Sequence, residues 1–81
     1  MRLDKFLKVS RLIKRRTVAN TASDMGRVLV NGNFAKPAKQ LKAGDIIEIE
    51  YANRTEKVQV LVVPSGNVSI QESGSLYKVI E

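Results

Sequence analysis

Residues 1–32 read MRLDKFLKVSRLIKRRTVANTASDMGRVLVNG, and the change of period partway along this stretch decides the fold. Leu3, Phe6 and Leu7 recur at helical spacing while Arg2, Lys5, Lys8 and Arg11 fall on the opposite side, so residues 2–13 are expected to form an amphipathic helix or helical turn. Leu12 and Ile13 then begin a connection. A second helix is expected from about Arg15 to Met25, where Val18, Ala22 and Met25 stand at i, i+4 and i+7 and Gly26 supplies a left-handed residue to end it. Beyond Gly26 the period becomes strand-like. Arg27 to Val30 is expected as a strand and Asn31-Gly32 as a two-residue hairpin turn, since both residues tolerate positive φ; Asn33-Phe34-Ala35 returns as the partner.

Further along, residues 36–42 form a polar loop containing Pro37, and Gly44-Asp45 turns the chain into the next strand. Ile47, Ile49 and Tyr51 alternate with Glu48 and Glu50, and Val58, Val60 and Val62 alternate with Lys57, Gln59 and Leu61. Joined by a turn around Asn53, these predict a half-buried antiparallel pair. Pro64 to Asn67 ends the sheet or turns it again, with short terminal strands expected at Val68–Ile70 and Leu76–Ile80 around Gly74. The expected class is α+β, with two N-terminal helices packed on a small, mostly antiparallel sheet. Residues 1–81 are expected as one domain, with a core motif in about 1–50 and further strands in 51–81.

The formal net charge is +6, and its placement says more than its size. Residues 1–16 hold seven bases (Arg2, Lys5, Lys8, Arg11, Lys14, Arg15, Arg16) against the single acid Asp4, whereas the seven bases and seven acids of residues 17–81 cancel. A solubilising surface would mix the signs; a one-sided block fits a polyanionic partner. Lys14, Arg15 and Arg16 stand at the start of the second helix, where cations oppose the helix dipole at a cost of a few tenths to about 1 kcal/mol per charge. A sequence shaped by stability alone would favour Asp or Glu there. Unpaired backbone N–H groups beside three cations suit a phosphate.

The chain has no cysteine and no histidine. Disulfides, thiolate or imidazole metal sites, the Ser-His-Asp arrangement and a cysteine nucleophile are therefore excluded, and neither an enzyme nor a bound metal or cofactor is expected. No apolar run approaches the about 20 residues that a membrane helix needs, so a cytoplasmic protein without a membrane partner is expected. The aromatic residues Phe6, Phe34, Tyr51 and Tyr77 are assigned to the core and give no exposed stacking row, which speaks against a single-strand reader of the RRM or cold-shock kind.

The run Arg2-Leu3-Asp4-Lys5-Phe6-Leu7, Arg11, Lys14-Arg15-Arg16, Gly26-Arg27-Val28, Val30-Asn31-Gly32, Lys36-Pro37 and Gly44-Asp45 together resemble the RNA-binding domain family named after ribosomal protein S4. The pattern spans roughly residues 1–50. Within that superfamily the opening RLDKFLKVSRLIKRRT and the closing Tyr77-Lys78-Val79-Ile80 look closest to the RqcP group, and more distantly resemble the small heat-shock RNA-binding protein of the same S4 type. The resemblance implies an S4-like fold with its two-helix alpha-L motif. It also implies a factor of bacterial ribosome-associated quality control that binds the large ribosomal subunit through 23S rRNA, stabilises peptidyl-tRNA and assists rescue and nascent-chain tailing of stalled complexes. A quality-control tailing factor is a further implied partner, and the chain is expected to act as a monomer.

Taken together with the basic face, the RNA-binding residues implied are Arg2, Lys5, Lys8, Arg11, Lys14, Arg15 and Arg16, with Asp4 orienting a neighbouring arginine by a charge-assisted hydrogen bond. Many members of the family carry Ser where Arg15 stands here, so a hydroxyl cap for the second helix is lost. Two other readings fit parts of the sequence. Two short basic helices could mimic a helix-turn-helix DNA-binding regulator, although strands rather than a recognition helix follow Gly26. An accessory domain of an RNA-modifying enzyme is the other, although Asp4, Asp24 and Asp45 lie in no recognisable catalytic setting.

Overall fold

A computed structural model describes residues 1–65 and 68–80. Helix α1 (Leu3–Val9) and helix α2 (Arg16–Asp24) come first, followed by β1 (Val28–Val30), β2 (Asn33–Phe34), β3 (Ile46–Glu50) and β4 (Thr55–Val60), then a short helix α3 (Ile70–Ser73) and β5 (Tyr77–Val79). The strands form one antiparallel sheet in the order β2-β1-β3-β4-β5. This is the α+β arrangement expected of the sequence.

Helix α1 buries the face that its spacing announces: Leu3, Phe6 and Leu7 are wholly shielded. They meet Val28 and Val30 of β1, Ile47 and Ile49 of β3, and Val58 and Val60 of β4 in one hydrophobic core. The helix is shorter than residues 2–13, however. It stops at Val9, and Arg11 adopts φ +64°, outside any helix. Backbone N–H groups of Ser10, Arg11 and Ile13 bond back to Phe6, Lys8 and Leu7, so the left-handed turn satisfies the carbonyls that end α1.

The loop at 36–42 does more than connect. Lys39 and Pro37 carbonyls accept the Leu3 and Asp4 N–H groups at 2.8 and 3.1 Å, and the Met1 carbonyl accepts the Leu41 N–H at 2.9 Å. The first-turn donors that a helix ordinarily leaves without partners are thereby matched by protein. At the other end of α2, Gly26 at φ +74° allows the Arg27 N–H to reach the Ala22 carbonyl and its own N–H to reach Ser23, a Schellman closure. Asn31 and Gly32, at φ +53° and +84°, make the expected hairpin turn. Asn31 also donates to Asp45 and accepts from the Ile46 N–H, which locks the turn against the start of β3.

Four expectations are corrected. The buried line of α2 is Ala19 and Ser23, not Val18, Ala22 and Met25. Small side chains let α2 lie close against its neighbours, so Ala22 is only partly buried and Val18 and Met25 are 52% and 61% exposed. Phe34 is not core: it sits on the edge strand β2, 72% exposed, with its ring against Gly26. The alternation in β4 ends at Val60, and Val62 is exposed. Residues Val68–Ile70 form no strand; Ser69 caps α3 by accepting the Glu72 N–H while its hydroxyl donates to the Glu72 carboxylate, a capping box spelled by Ser69-Ile70-Gln71-Glu72. The turn expected through Gly66-Asn67 lies outside the described residues.

The buried Ser23 hydroxyl finds no hydrogen-bond partner among the described residues. An unpaired buried hydroxyl is destabilising, and alanine also suits a helix better. Ser23→Ala is therefore expected to raise unfolding stability by about 1 kcal/mol, read as a higher urea midpoint at unchanged slope; a lower midpoint would mean that the hydroxyl is satisfied.

Candidate nucleic-acid interface

Asp4 lies in the first turn of α1, where a carboxylate complements the helix dipole. It is only 2% exposed, and a charge so placed must be matched. Arg2 donates to it with a fork, Nε to Oδ1 and Nη2 to Oδ2, both at 3.2 Å. The Lys5 N–H donates to Oδ1 at 2.8 Å and the Asn20 amide to Oδ2 at 3.3 Å. Arg16, the first residue of α2, brings Nη2 to 3.5 Å from Oδ1. One carboxylate thus joins the residue before α1 to the first and second turns of α2.

Burial by itself pushes the Asp4 carboxyl up, but the Asn20 hydrogen bond, the Arg16 charge, the Lys5 N–H and the Arg2 charge together outweigh it and hold the group below its ordinary value. It stays ionised at neutral pH. Two guanidiniums facing one carboxylate leave an excess of one positive charge, and the arginine side chains remain 44% and 46% exposed. Their outward N–H groups border an open groove of about 530 Å³ lined also by Thr17, Asn20 and Thr21. Arg2 and Arg16 are therefore not unencumbered cations; each is held against the Asp4 carboxylate.

The seven basic residues do not make a single stripe. Lys8, Arg11 and Lys14 come together with Val9 and Val68 around a second, smaller groove of about 180 Å³. Lys5 is half-buried on α1 and Arg15 is exposed at the N-cap of α2, lining neither groove. The expected single cluster Lys14-Arg15-Arg16 is thus divided between two places, because the chain turns at Arg15 from extended backbone into the helix. No side chain caps that helix, consistent with an arginine at the position. Asn20 was missed from sequence; its place one turn beyond Arg16 is the signal that could have found it. Among the described residues there is no group of three or more acids that could hold a metal ion.

Residues 1–47, which carry α1, α2, β1, β2 and every residue just named except Val68, match the family model described as the S4 domain. The chain belongs to the S4 domain family. Its relatives include proteins named RQC P-site tRNA stabilizing factor, from Streptococcus pneumoniae (45% identical over 80 residues, 99% of this chain and 90% of the relative) and from Bacillus subtilis (42% over 81 residues, 100% and 93%). Among solved structures, the trimeric heat shock protein 15 of Vibrio cholerae superposes with a TM-score of 0.88 at 28% identity, over 98% of this chain and 80% of that one. In this S4 domain chain the family's matched stretch supplies every basic residue of both grooves, while β4 and β5 lie beyond it and widen the sheet.

The sign of the Asp4 shift fixes a pH dependence. A folded-state pKa below the unfolded one contributes stability that is full above the unfolded value, about 3.8, and is lost as pH falls through the folded value. Asp4→Asn is expected to cost about 2 kcal/mol at neutral pH, and to flatten the acid limb of the stability curve below about pH 4. Urea melts at a series of pH values check both, and parallel acid limbs in the two proteins would contradict the assignment.

Proposed function

We propose that this protein is a ribosome-associated RNA-binding factor that holds the large subunit through 23S rRNA and peptidyl-tRNA in bacterial ribosome-associated quality control, assisting rescue and nascent-chain tailing of stalled complexes. The observation that carries the reading is the pair of arginines fixed on one buried carboxylate beside an open groove, in a chain 45% identical to a protein named RQC P-site tRNA stabilizing factor. Folded RNA presents phosphates and 2′-hydroxyls, because its major groove is too narrow for side chains to read. A guanidinium held at a set angle engages such phosphates with two N–H groups, and the lysines add mobile point charge.

The contact set proposed is Arg2, Lys5, Lys8, Arg11, Lys14, Arg15 and Arg16, with Asp4 as the positioning residue of Arg2 and Arg16. Arg11 supports it independently. A left-handed φ is uncommon for a residue with a side chain, and glycine would meet the backbone demand at no steric cost. Retaining arginine there fits a side chain needed for something other than the fold. The protein acts as a non-enzymatic, cytoplasmic monomer without cofactor, with a tailing factor as a further partner.

If about five phosphates are neutralised, log affinity falls against log salt with a slope of roughly −3 to −4. Arg2→Ala and Arg16→Ala are expected to weaken co-sedimentation with large subunits while leaving the fold intact; unchanged co-sedimentation of both variants would refute the assigned surface. Arg11→Gly separates fold from function more sharply. It is expected to leave stability unchanged or up to about 1 kcal/mol higher while lowering subunit affinity, and a stability loss with affinity retained would reverse the assignment.

A further inference from the structure

The outward side of α2 carries more than phosphate recognition requires. Val18 and Met25 stand 52% and 61% exposed, and with Ala22 and Arg27 they floor an open groove of about 400 Å³. Valine is a poor choice for an exposed position in a nine-residue helix, where alanine, lysine or glutamate would serve stability better. The groove is not isolated. It shares Thr17 and Thr21 with the Arg2–Asp4–Arg16 groove, and those two threonines are one helical turn, about 6 Å, apart. At its other end it shares Met25 and Arg27 with a depression against Tyr51 and Glu50. The Arg54 guanidinium stacks 4.7 Å from the centroid of the Tyr51 ring.

One continuous track therefore runs along α2, with paired guanidiniums at its head, an apolar floor in its middle and an aromatic ring near its end. Arg16, Arg27 and Arg54 supply cations along it; Glu50 and Glu56 are carboxylates at the Tyr51 end. A partner fitting this order needs negative charge at the head and flat apolar faces a few ångströms further on. Paired RNA offers only the first, because its bases are stacked inside the helix. A splayed nucleotide offers both, its phosphate to arginine and its base face to an apolar or aromatic surface.

We propose that the outer face of α2 seats one or two unpaired RNA nucleotides continuous with the strand whose phosphates occupy the Arg2–Asp4–Arg16 groove. The assignment rests on the RNA-binding reading above and adds to it the class of RNA preferred: a helix that ends in, or is interrupted by, unpaired bases.

The test compares RNAs by fluorescence anisotropy at matched salt: a blunt-ended duplex without a loop, the same duplex with a three-nucleotide unpaired 5′ or 3′ extension, and the extended duplexes with abasic residues in the extension. The wild-type protein is expected to bind one of the extended duplexes about tenfold more tightly than the blunt one, and its abasic version no more tightly than its charge accounts for. Val18→Ser and Met25→Gln, at exposed positions that leave the thermal melt unchanged, are expected to remove the gain and keep the blunt-duplex affinity. Arg16→Ala is expected to weaken binding to all of them. Equal wild-type binding of blunt and extended duplexes, or a gain that survives both substitutions, overturns the proposal while leaving the RNA-binding reading in place. Concentration-dependent self-association abolished by Val18→Ser would likewise overturn it, by giving the face to a second copy of the chain. Failure of every RNA to bind would overturn the reading beneath it as well.

Discussion

A carboxylate withdrawn from water at the start of α1 governs how the two helices sit and where the charge above them points. Asp4 cannot remain ionised in that place unless its lone pairs are filled, and they are filled by groups that come from both helices and from the residue before them. The consequence runs in two directions. Inward, the network fixes the approach of α2 to α1, helped by the small residues Ala19 and Ser23. Outward, it removes rotational freedom from Arg2 and Arg16, two of the side chains with most to lose on binding. Orientation is gained before any ligand arrives, at the expense of part of the positive charge.

The sheet serves this arrangement by rigidity. Val28, Val30, Ile47, Ile49, Val58 and Val60 receive Leu3, Phe6 and Leu7, so α1 is held by burial and its exposed Lys8 is left to carry charge. The loop carbonyls of Pro37 and Lys39 accept the first two N–H groups of α1. At α2 no side chain competes for the corresponding position, and Lys14, Arg15 and Arg16 surround it with the sign that the helix dipole disfavours. The two helices thus treat their N-termini oppositely, one sealed by protein and one left basic.

Much of this was legible in the sequence. The alternation of Ile47 and Ile49, the Asn31-Gly32 turn and the left-handed Gly26 each have one low-energy solution, and the charge asymmetry of residues 1–16 needs no structure to be seen. The inward face of α2 was not, because two sets of residues keep helical spacing. Hydrophobicity favours Val18, Ala22 and Met25, yet close packing against α1 favours Ala19 and Ser23, whose small size is a weak signal. Arg11 was hidden for a different reason: nothing in an arginine announces positive φ, so a helical pattern was carried four residues too far. In the tail, the Ser69–Glu72 capping box was present but masked by surrounding serine and glycine. The division of the basic block into two grooves depends on the turn between the helices, and no one-dimensional count of charge contains it.

The central claim is that preorganisation by Asp4 outweighs the charge it cancels, and bare electrostatics makes the opposite forecast. The most direct measurement is the affinity of the Asp4→Asn protein for large ribosomal subunits, at a salt concentration and temperature where it remains folded. Removing the carboxylate raises the net charge from +6 to +7, which by charge alone should tighten binding. If Asp4 sets the arginines in place, affinity falls by roughly tenfold, equivalent to about 1.4 kcal/mol, despite the added charge; equal or tighter binding would contradict the account.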